Sequence, residues 1–331
     1  MSGEQLIREI GRSGVRASAV GLGTWAIGGW MWGGTDEAQS IAAIHASLDA
    51  GVTLIDTAPA YGLGRSEEIV GKALTRRRDK AVIATKCGLV WHTQKGKHFF
   101  DQDGKPVHRY LGRDSIIHEV EESLRRLGTD HIDLYITHWQ DVTTPIEETV
   151  RALEELKSAG KIRAIGASNV DKAGLQQYVQ TGSLDAIQER FSMIDREIEA
   201  DLLPLTVQSG ISTLSYSSLA LGLLSGTIGP DRIFAGDDQR KGNPRFSVAN
   251  RQKAKAFSDA IGPIAERHAA SVAQLVIAWT LSQPGVTFAL CGARNPAQAL
   301  DNARAGTLRL SADDLSAIDA ALAAKLANMD G

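Results

Sequence analysis

Only two cysteines, Cys87 and Cys291, occur in 331 residues. That number cannot build a disulfide framework, and the pair fits no zinc-ligand spacing. The eight histidines are scattered, with no HExxH and no paired ligand motif, so no metal site is expected. No apolar run approaches membrane-spanning length, which argues against a membrane partner. The start, Met1-Ser2-Gly3-Glu4-Gln5, lacks the basic-then-apolar pattern of a secretory signal, and the cytoplasm is the expected location. Like-charge runs are also missing. The densest, Arg76-Arg77-Arg78, reads as a solvated helix end, and the net charge is −3 with both signs interleaved. A nucleic-acid-binding surface is not expected. No stretch rich in Pro, Gly or Ser divides the chain, so residues 1–331 read as one domain. The oligomeric state is not fixed by the sequence.

What is present is an alternation. Short β-branched or aliphatic runs occur at Ala19–Leu22, Val52–Ile55, Ala81–Ala84, Ile132–Thr137, Ala164–Ala167, Ala186–Gln188, Ile211–Ser215 and Val286–Leu290. Amphipathic segments separate them. Asp36 opens the first and Ser66 caps the second; Arg113–Leu127 and a segment from Pro145 to Gly160 follow. Asp171–Val179, Ala200–Gln208, Ser271–Ser282 and Pro296–Ala305 complete the set. Strict alternation predicts a parallel sheet, and eight units predict closure into an α/β (β/α)8 TIM barrel. Outside the repeat, Leu6–Arg16 is expected to form an N-terminal hairpin under the barrel floor. Trp91–Tyr110 is expected to form a hairpin or flap after the third strand, and Leu219–Arg267 a long loop after the seventh. An extra C-terminal helix is expected at Ser311–Lys325, with Ser311 and Asp314 as its capping pair.

The chemistry gathers at two successive strand exits. Asp56-Thr57-Ala58-Pro59-Ala60-Tyr61 follows the second apolar run, and Thr85-Lys86 ends the third. Strand exits of a parallel barrel open into one mouth, so a carboxylate, a phenol and an ammonium can converge there. A phenol titrates near pH 10 when unperturbed; a neighbouring ammonium lowers that value and yields a tunable proton donor. Taken singly, Asp56 could cap a turn, Tyr61 cover a rim and Lys86 end a strand in solvent. One motif misleads: Gly21-Leu22-Gly23-Thr24-Trp25-Ala26 matches G-x-G-x-x-A, but more glycines and tryptophans follow instead of a helix.

Further motifs run in order along almost the whole chain. Gly23-Thr24-Trp25, Ile55-Asp56-Thr57-Ala58 with Tyr61-Gly62, Ser66-Glu67 and Ile83-Ala84-Thr85-Lys86 come first. Then come Asp133-Leu134-Tyr135 with His138-Trp139, Ile165-Gly166-Ala167-Ser168-Asn169, Tyr216-Ser217 with Leu219, Gly222-Leu223-Leu224-Ser225-Gly226, and Gly292-Ala293-Arg294-Asn295-Pro296. In these the chain resembles the aldo-keto reductase superfamily. Its nearest likeness is the bacterial branch related to potassium-channel β-subunits, with general-stress and inositol-type reductases and glycerol or polyol dehydrogenases. The resemblance implies an NADP(H)-dependent oxidoreductase acting on small aldehydes, ketones and alcohols. It implies Tyr61 as general acid or base, Lys86 and Asp56 as its tuning pair, and His138 as donor to the substrate oxygen.

For the cofactor it implies Gly23, Thr24, Trp25 and Asp56 at the first two exits. Ser168, Asn169 and Gln188 would hold the nicotinamide carboxamide, with Tyr216 stacked on its ring. A pyrophosphate loop of Ser217, Leu219, Gly222, Leu224 and Gly226 would follow, with Gly292, Arg294, Gln298 and Asn302 at the adenosine end. Arg294 is the expected 2′-phosphate ligand. Trp25, Trp30, Trp32, Trp91 and Trp139 are expected around the substrate, whereas Trp279 is expected in the core. Departures from the family's pattern occur at Gln140, at Glu189-Arg190-Phe191 and at Ser218. Short hydroxyaldehydes and polyols, similar to glyceraldehyde and glycerol, are the expected substrates. The alternative is a cofactor-occupied regulatory module with little turnover.

Overall fold

A computed structural model describes residues 4–327 and Met329. Eight parallel strands close into a barrel in chain order. They are β1 (Val20–Gly23), β2 (Leu54–Asp56), β3 (Val82–Cys87), β4 (Ile132–Thr137), β5 (Ile162–Ser168), β6 (Ala186–Arg190), β7 (Ser212–Tyr216) and β8 (Phe288–Gly292). Closure runs from β8 to β1, where Ala289 pairs with Val20 and Gly292 with Gly23. All eight expected runs are barrel strands, each shifted by a few residues at most.

The period of two explains the core. Leu54, Ala84, Leu134, Ala164, Ala186, Leu214 and Phe288 fill the barrel interior. Their neighbours Ile55, Ile83, Tyr135, Ile165 and Ile187 face outward and join the larger cluster under the helices. The N-terminal hairpin pairs Ile7–Glu9 with Arg16–Ser18. Its Ile10, Val15 and Ala17 plug the interior from below. Gly11 makes that docking possible: a Cβ there would lie 2.3 Å from the Asp185 carbonyl oxygen, while its N–H donates to Ser212 Oγ at 2.9 Å.

Ten α-helices are present among the described residues: α1 (Glu37–Asp49), α2 (Arg65–Leu74), α3 (Arg113–Leu127), α4 (Ile146–Ser158), α5 (Lys172–Thr181), α6 (Leu202–Ser209), α7 (Val248–Arg267), α8 (Val272–Ser282), α9 (Pro296–Ala305) and α10 (Ala312–Lys325). Asp36 and Asp171 cap α1 and α5, and Ser271 and Ser311 form capping boxes on α8 and α10. Three expectations need correction. Ser66 does not cap α2: the helix starts after left-handed Gly64, and the Ser66 hydroxyl donates inward to Thr24 Oγ1 at 2.8 Å. Arg78 is no solvated helix end: it donates to Asp133 Oδ2 at 2.7 Å and to the His131 carbonyl at 3.0 Å. The stretch after β7 is a loop only to its midpoint; α7 fills the rest and packs on α10. The insertion after β3 is the expected hairpin, Lys97–Gln102 against Lys105–Arg109, anchored by Leu89–Val90. Among the described residues, no helix is long and apolar enough to cross a membrane.

Candidate active site

Strand β2 delivers Asp56 and strand β3 delivers Lys86 to the barrel mouth, where both are buried. Lys86 Nζ donates to Asp56 Oδ1 at 2.8 Å, to Asp56 Oδ2 at 2.9 Å and to the Thr57 carbonyl at 2.9 Å. Tyr61 Oη lies 3.2 Å from the same nitrogen. The β4 exit carries His138, whose ring meets the Tyr61 ring edge-on at 5.7 Å between centroids. The sequence-expected tetrad is therefore brought together. Beneath it, buried Glu67 accepts from Thr85 Oγ1 and from Arg126 Nε, each at 2.6 Å, tying α2 and α3 to the β3 exit. Sequence reasoning quoted Glu67 within the Ser66-Glu67 motif and overlooked Arg126 altogether.

Burial governs the protonation states. It pushes the Lys86 ammonium below its usual value, against the pull of Asp56. The imidazole of His138 is pushed well below its ordinary value, by burial and then by Lys86, so it is neutral near pH 7. Tyr61 corrects an expectation: burial, reinforced by Asp56, holds its phenol well above the ordinary value rather than below it. Burial disfavours the phenolate, and the nearby Asp56 carboxylate adds to that rise.

The residues expected around the nicotinamide are bonded to one another. Ser168 Oγ donates to the Gln188 carbonyl at 2.6 Å, and Gln188 Nε2 donates to Asp56 Oδ2 at 2.7 Å. Asn169, at φ 55°, donates to the His138 carbonyl at 2.8 Å and accepts from Tyr216 Oη at 2.8 Å. Gln140, a departure from the family's pattern, donates to the Ser168 carbonyl at 2.9 Å and supports this exit. Thr24 is fully buried, its hydroxyl on the Asp56 carbonyl at 2.8 Å. Gly23 and Gly292 leave space: a Cβ on either would meet nothing nearer than 3.8 Å.

Past Tyr216 the chain turns through positive φ at Ser217, Ala220, Leu221 and Gly222. The Gly222 and Leu224 N–H groups both donate to the Leu219 carbonyl. Gly226 ends the turn in the left-handed region. Beyond it, residues 231–247 are latched across to residues 29–34: Asp237 accepts from the Met31 and Gly33 N–H groups at 2.9 and 2.8 Å. Arg240 lies between the Trp32 and Phe234 rings, 5.1 and 4.7 Å from their centroids. Arg294 donates to the Trp32 carbonyl at 2.9 Å, and Trp32 Nε1 is buried without a partner. Arg240 is itself held by Asp238, at 2.6 Å, so the donors that fit phosphate oxygens here are the Arg294 guanidinium and the orphaned Trp32 N–H. Gln298 and Asn302 instead hold their own loop, accepting from the Arg294 N–H and donating to the Gly292 carbonyl. Asp238, from the latched segment, is close enough to feel the Arg294 charge.

The mouth is aromatic. Trp25 stacks on Tyr61 at 6.3 Å and meets Trp32 edge-on at 5.5 Å. Trp30 stacks on Phe100 at 5.1 Å, Trp139 meets Phe99 at 5.2 Å, and Trp91 packs with Ala60, Leu89 and Val107. Phe99 and Phe100, which the sequence reading did not single out, arrive on the hairpin; two adjacent aromatics in a polar insertion were the available signal. Trp279 is core, as expected, with its indole N–H on Asp319.

A parallel barrel whose mouth holds a buried lysine–carboxylate pair against a tyrosine defines an oxidoreductase class. The sequence profile of the Aldo/keto reductase family matches residues 19–323, and the chain belongs to that family. It is 46% identical over 292 residues to aldo-keto reductase YhdN of Bacillus subtilis (strain 168), covering 87% of this chain and 85% of the relative. It is 43% identical over 311 residues to the NADH-specific methylglyoxal reductase of Escherichia coli (strain K12), covering 92% of this chain and 94% of the relative. Among solved structures, the glycerol dehydrogenase AKR11B4 from Gluconobacter oxydans superposes with a TM-score of 0.86 at 40% identity, covering 98% of this chain and 97% of that one.

Proposed function

We propose that this aldo-keto reductase interconverts small aldehydes or ketones and their alcohols, with NADP(H) as its cofactor and short hydroxyaldehydes or polyols as its substrates. The observation that carries the chemistry is the buried Lys86 ammonium, shared by Asp56 and the Tyr61 phenol. The nicotinamide, when bound, supplies or accepts the hydride. As negative charge grows on the carbonyl oxygen, Tyr61 donates its proton there, and Lys86 compensates the phenolate left behind. His138, neutral through burial, orients the same oxygen through a ring N–H. Alcohol oxidation runs the same path backwards, with Tyr61 as base. The aromatic mouth excludes water from the exchange.

Three-carbon substrates are favoured because both a methylglyoxal reductase and a glycerol dehydrogenase are among the similar proteins. Arg294 supports NADP(H), although Asp238 stands close to it and the Escherichia coli relative is named NADH-specific. One experiment tests both parts: a panel of short aldehydes and polyols assayed with each cofactor, on the wild type and Arg294→Ala. The expected result is turnover favouring NADPH, with Arg294→Ala weakening NADPH binding far more than NADH binding. Equal losses for the two cofactors would remove Arg294 from its role.

A further inference from the structure

We propose that Arg109, on the hairpin flap, selects carbonyl substrates that carry an anionic group, a carboxylate or a phosphate. The inference rests on the carbonyl-reducing activity proposed above. Arg109 pairs through its backbone with Leu89, just past the β3 exit, and with Lys97 across the hairpin. Its guanidinium lies 4.9 Å from the centroid of Phe99. Phe99 in turn packs 5.2 Å from Trp139, the residue after His138. One guanidinium is thus connected to the catalytic mouth through two aromatic rings.

Four other guanidiniums are already paired with carboxylates. Arg78 has Asp133, Arg126 has Glu67, Arg240 has Asp238 and Arg245 has Asp195. For the Arg109 side chain no hydrogen bond or ion pair is present among the described residues, and its Nε is shut off from solvent with no partner. A guanidinium stripped of water on one edge and given no anion is an unfavourable arrangement. Beside the Phe99 ring, the terminal N–H groups of this unpaired guanidinium can take a carboxylate or phosphate through charge-assisted bonds. The surrounding insertion adds to the field. From 91 to 110 it carries Lys95, Lys97, Lys105 and Arg109 against only Asp101 and Asp103, on a chain whose net charge is −3. Such a patch draws anionic solutes to the mouth.

Two matched pairs test this by steady-state kinetics. Succinic semialdehyde against butanal isolates a carboxylate; glyceraldehyde 3-phosphate against glyceraldehyde isolates a phosphate. In Arg109→Met the anionic-to-neutral ratio of kcat/KM is expected to fall about 10- to 100-fold, the range that a charge-assisted hydrogen bond supports. Arg109→Lys is expected to recover part of it. The wild type offers a readout free of any folding defect: added salt should depress kcat/KM for the anionic partner and spare the neutral one. A fall confined to one pair supports the inference and identifies the anion. Neutral aldehydes turned over with a salt-independent ratio that Arg109→Met leaves unmoved would overturn this inference alone. No turnover of any of the four by the wild type would overturn the proposed activity, and this inference with it.

Discussion

Two of the barrel's buried carboxylates lie at opposite ends and are put to different uses. At the floor, Asp133 is 2% exposed and accepts from the Ile83 N–H at 2.9 Å, from Arg78 at 2.7 Å and from Arg163 at 3.0 Å. Its cations lead outward: the Arg78 and Arg163 side chains are 23% and 56% exposed. At the mouth, Asp56 is 4% exposed, but its cation is Lys86, 1% exposed, with a phenol and an amide closing the remaining sides. The floor pair staples strands while its charge disperses into water. The mouth pair is sealed, so burial competes openly with the pull of Asp56 and holds the Lys86 ammonium below its usual value. Equal burial of an acid therefore says little about its use; the exposure of its partner says more.

The largest expected effect breaks the mouth pair. Lys86→Met should lower turnover by about 10²- to 10⁴-fold, the contribution of a positioned proton donor. Cofactor binding, read by fluorescence titration, should persist, and Asp56→Asn should be damaging but milder. The matching break at the floor is Asp133→Ala, which leaves Arg78 and the Ile83 N–H without their acceptor. Its expected cost is about 1–3 kcal/mol of stability by denaturant unfolding, with kcat nearly retained. Should Asp133→Ala abolish turnover without loss of stability, the division between floor and mouth would be wrong.

A smaller effect sharpens the contrast through pH. Glu189, at the end of β6, is buried, accepts from the Val170 N–H at 2.9 Å and is pushed up to about 8 by burial. Glu119 on α3, bonded to the Gly88 N–H, is likewise raised to about 8. The folded protein thus holds protons that the unfolded chain releases at ordinary carboxylate values. Stability from each is fully present below the ordinary value and is lost as pH rises towards 8. Glu189→Gln should remove its share, on the order of a few kcal/mol, leaving the Glu119 share in place. An unchanged slope in melting temperature against pH would show that Glu189 is ionised throughout.

Most of this architecture could be read from residue patterns, and the failures have physical causes. The eight β-branched runs are barrel strands because a sheet buried on both faces needs continuous apolar sequence. The tetrad was legible because chemistry at strand exits leaves a local signature. Helix α7 was not, although Ala254, Phe257, Ile261, Ile264 and Ala265 repeat on one face; Gly262 and Pro263 interrupt the pattern. Ser66 read as a helix cap and Arg78 as a solvated helix end because nothing local shows which way a side chain turns. Asp238 near Arg294 and the Phe99–Trp139 contact join loops distant in sequence. The direction of the phenol's displacement depended on how far Tyr61 is buried beside Asp56, which tertiary packing decides rather than residue types.

The smallest expected effect concerns the pH profile of carbonyl reduction. Reduction consumes a proton, so Tyr61 must begin protonated. Its phenol is held well above the ordinary value, and His138 is held neutral. Neither group therefore changes state across the neutral range, and kcat for reduction should vary less than about twofold between roughly pH 6 and pH 8. Decline belongs only above the ordinary phenol value of about 10. Alcohol oxidation needs the phenolate, so its rate should keep rising with pH and reach no plateau near neutrality. Tyr61→Phe should abolish both reactions, since no proton carrier remains at that oxygen, whereas His138→Asn should lower the rates without reshaping the profiles. A titration near neutrality in the wild type that disappears in His138→Asn would mean that the imidazole is hydrated and ionisable. The mouth would then resemble the floor, and the contrast drawn between the two carboxylates would fail at its most sensitive point.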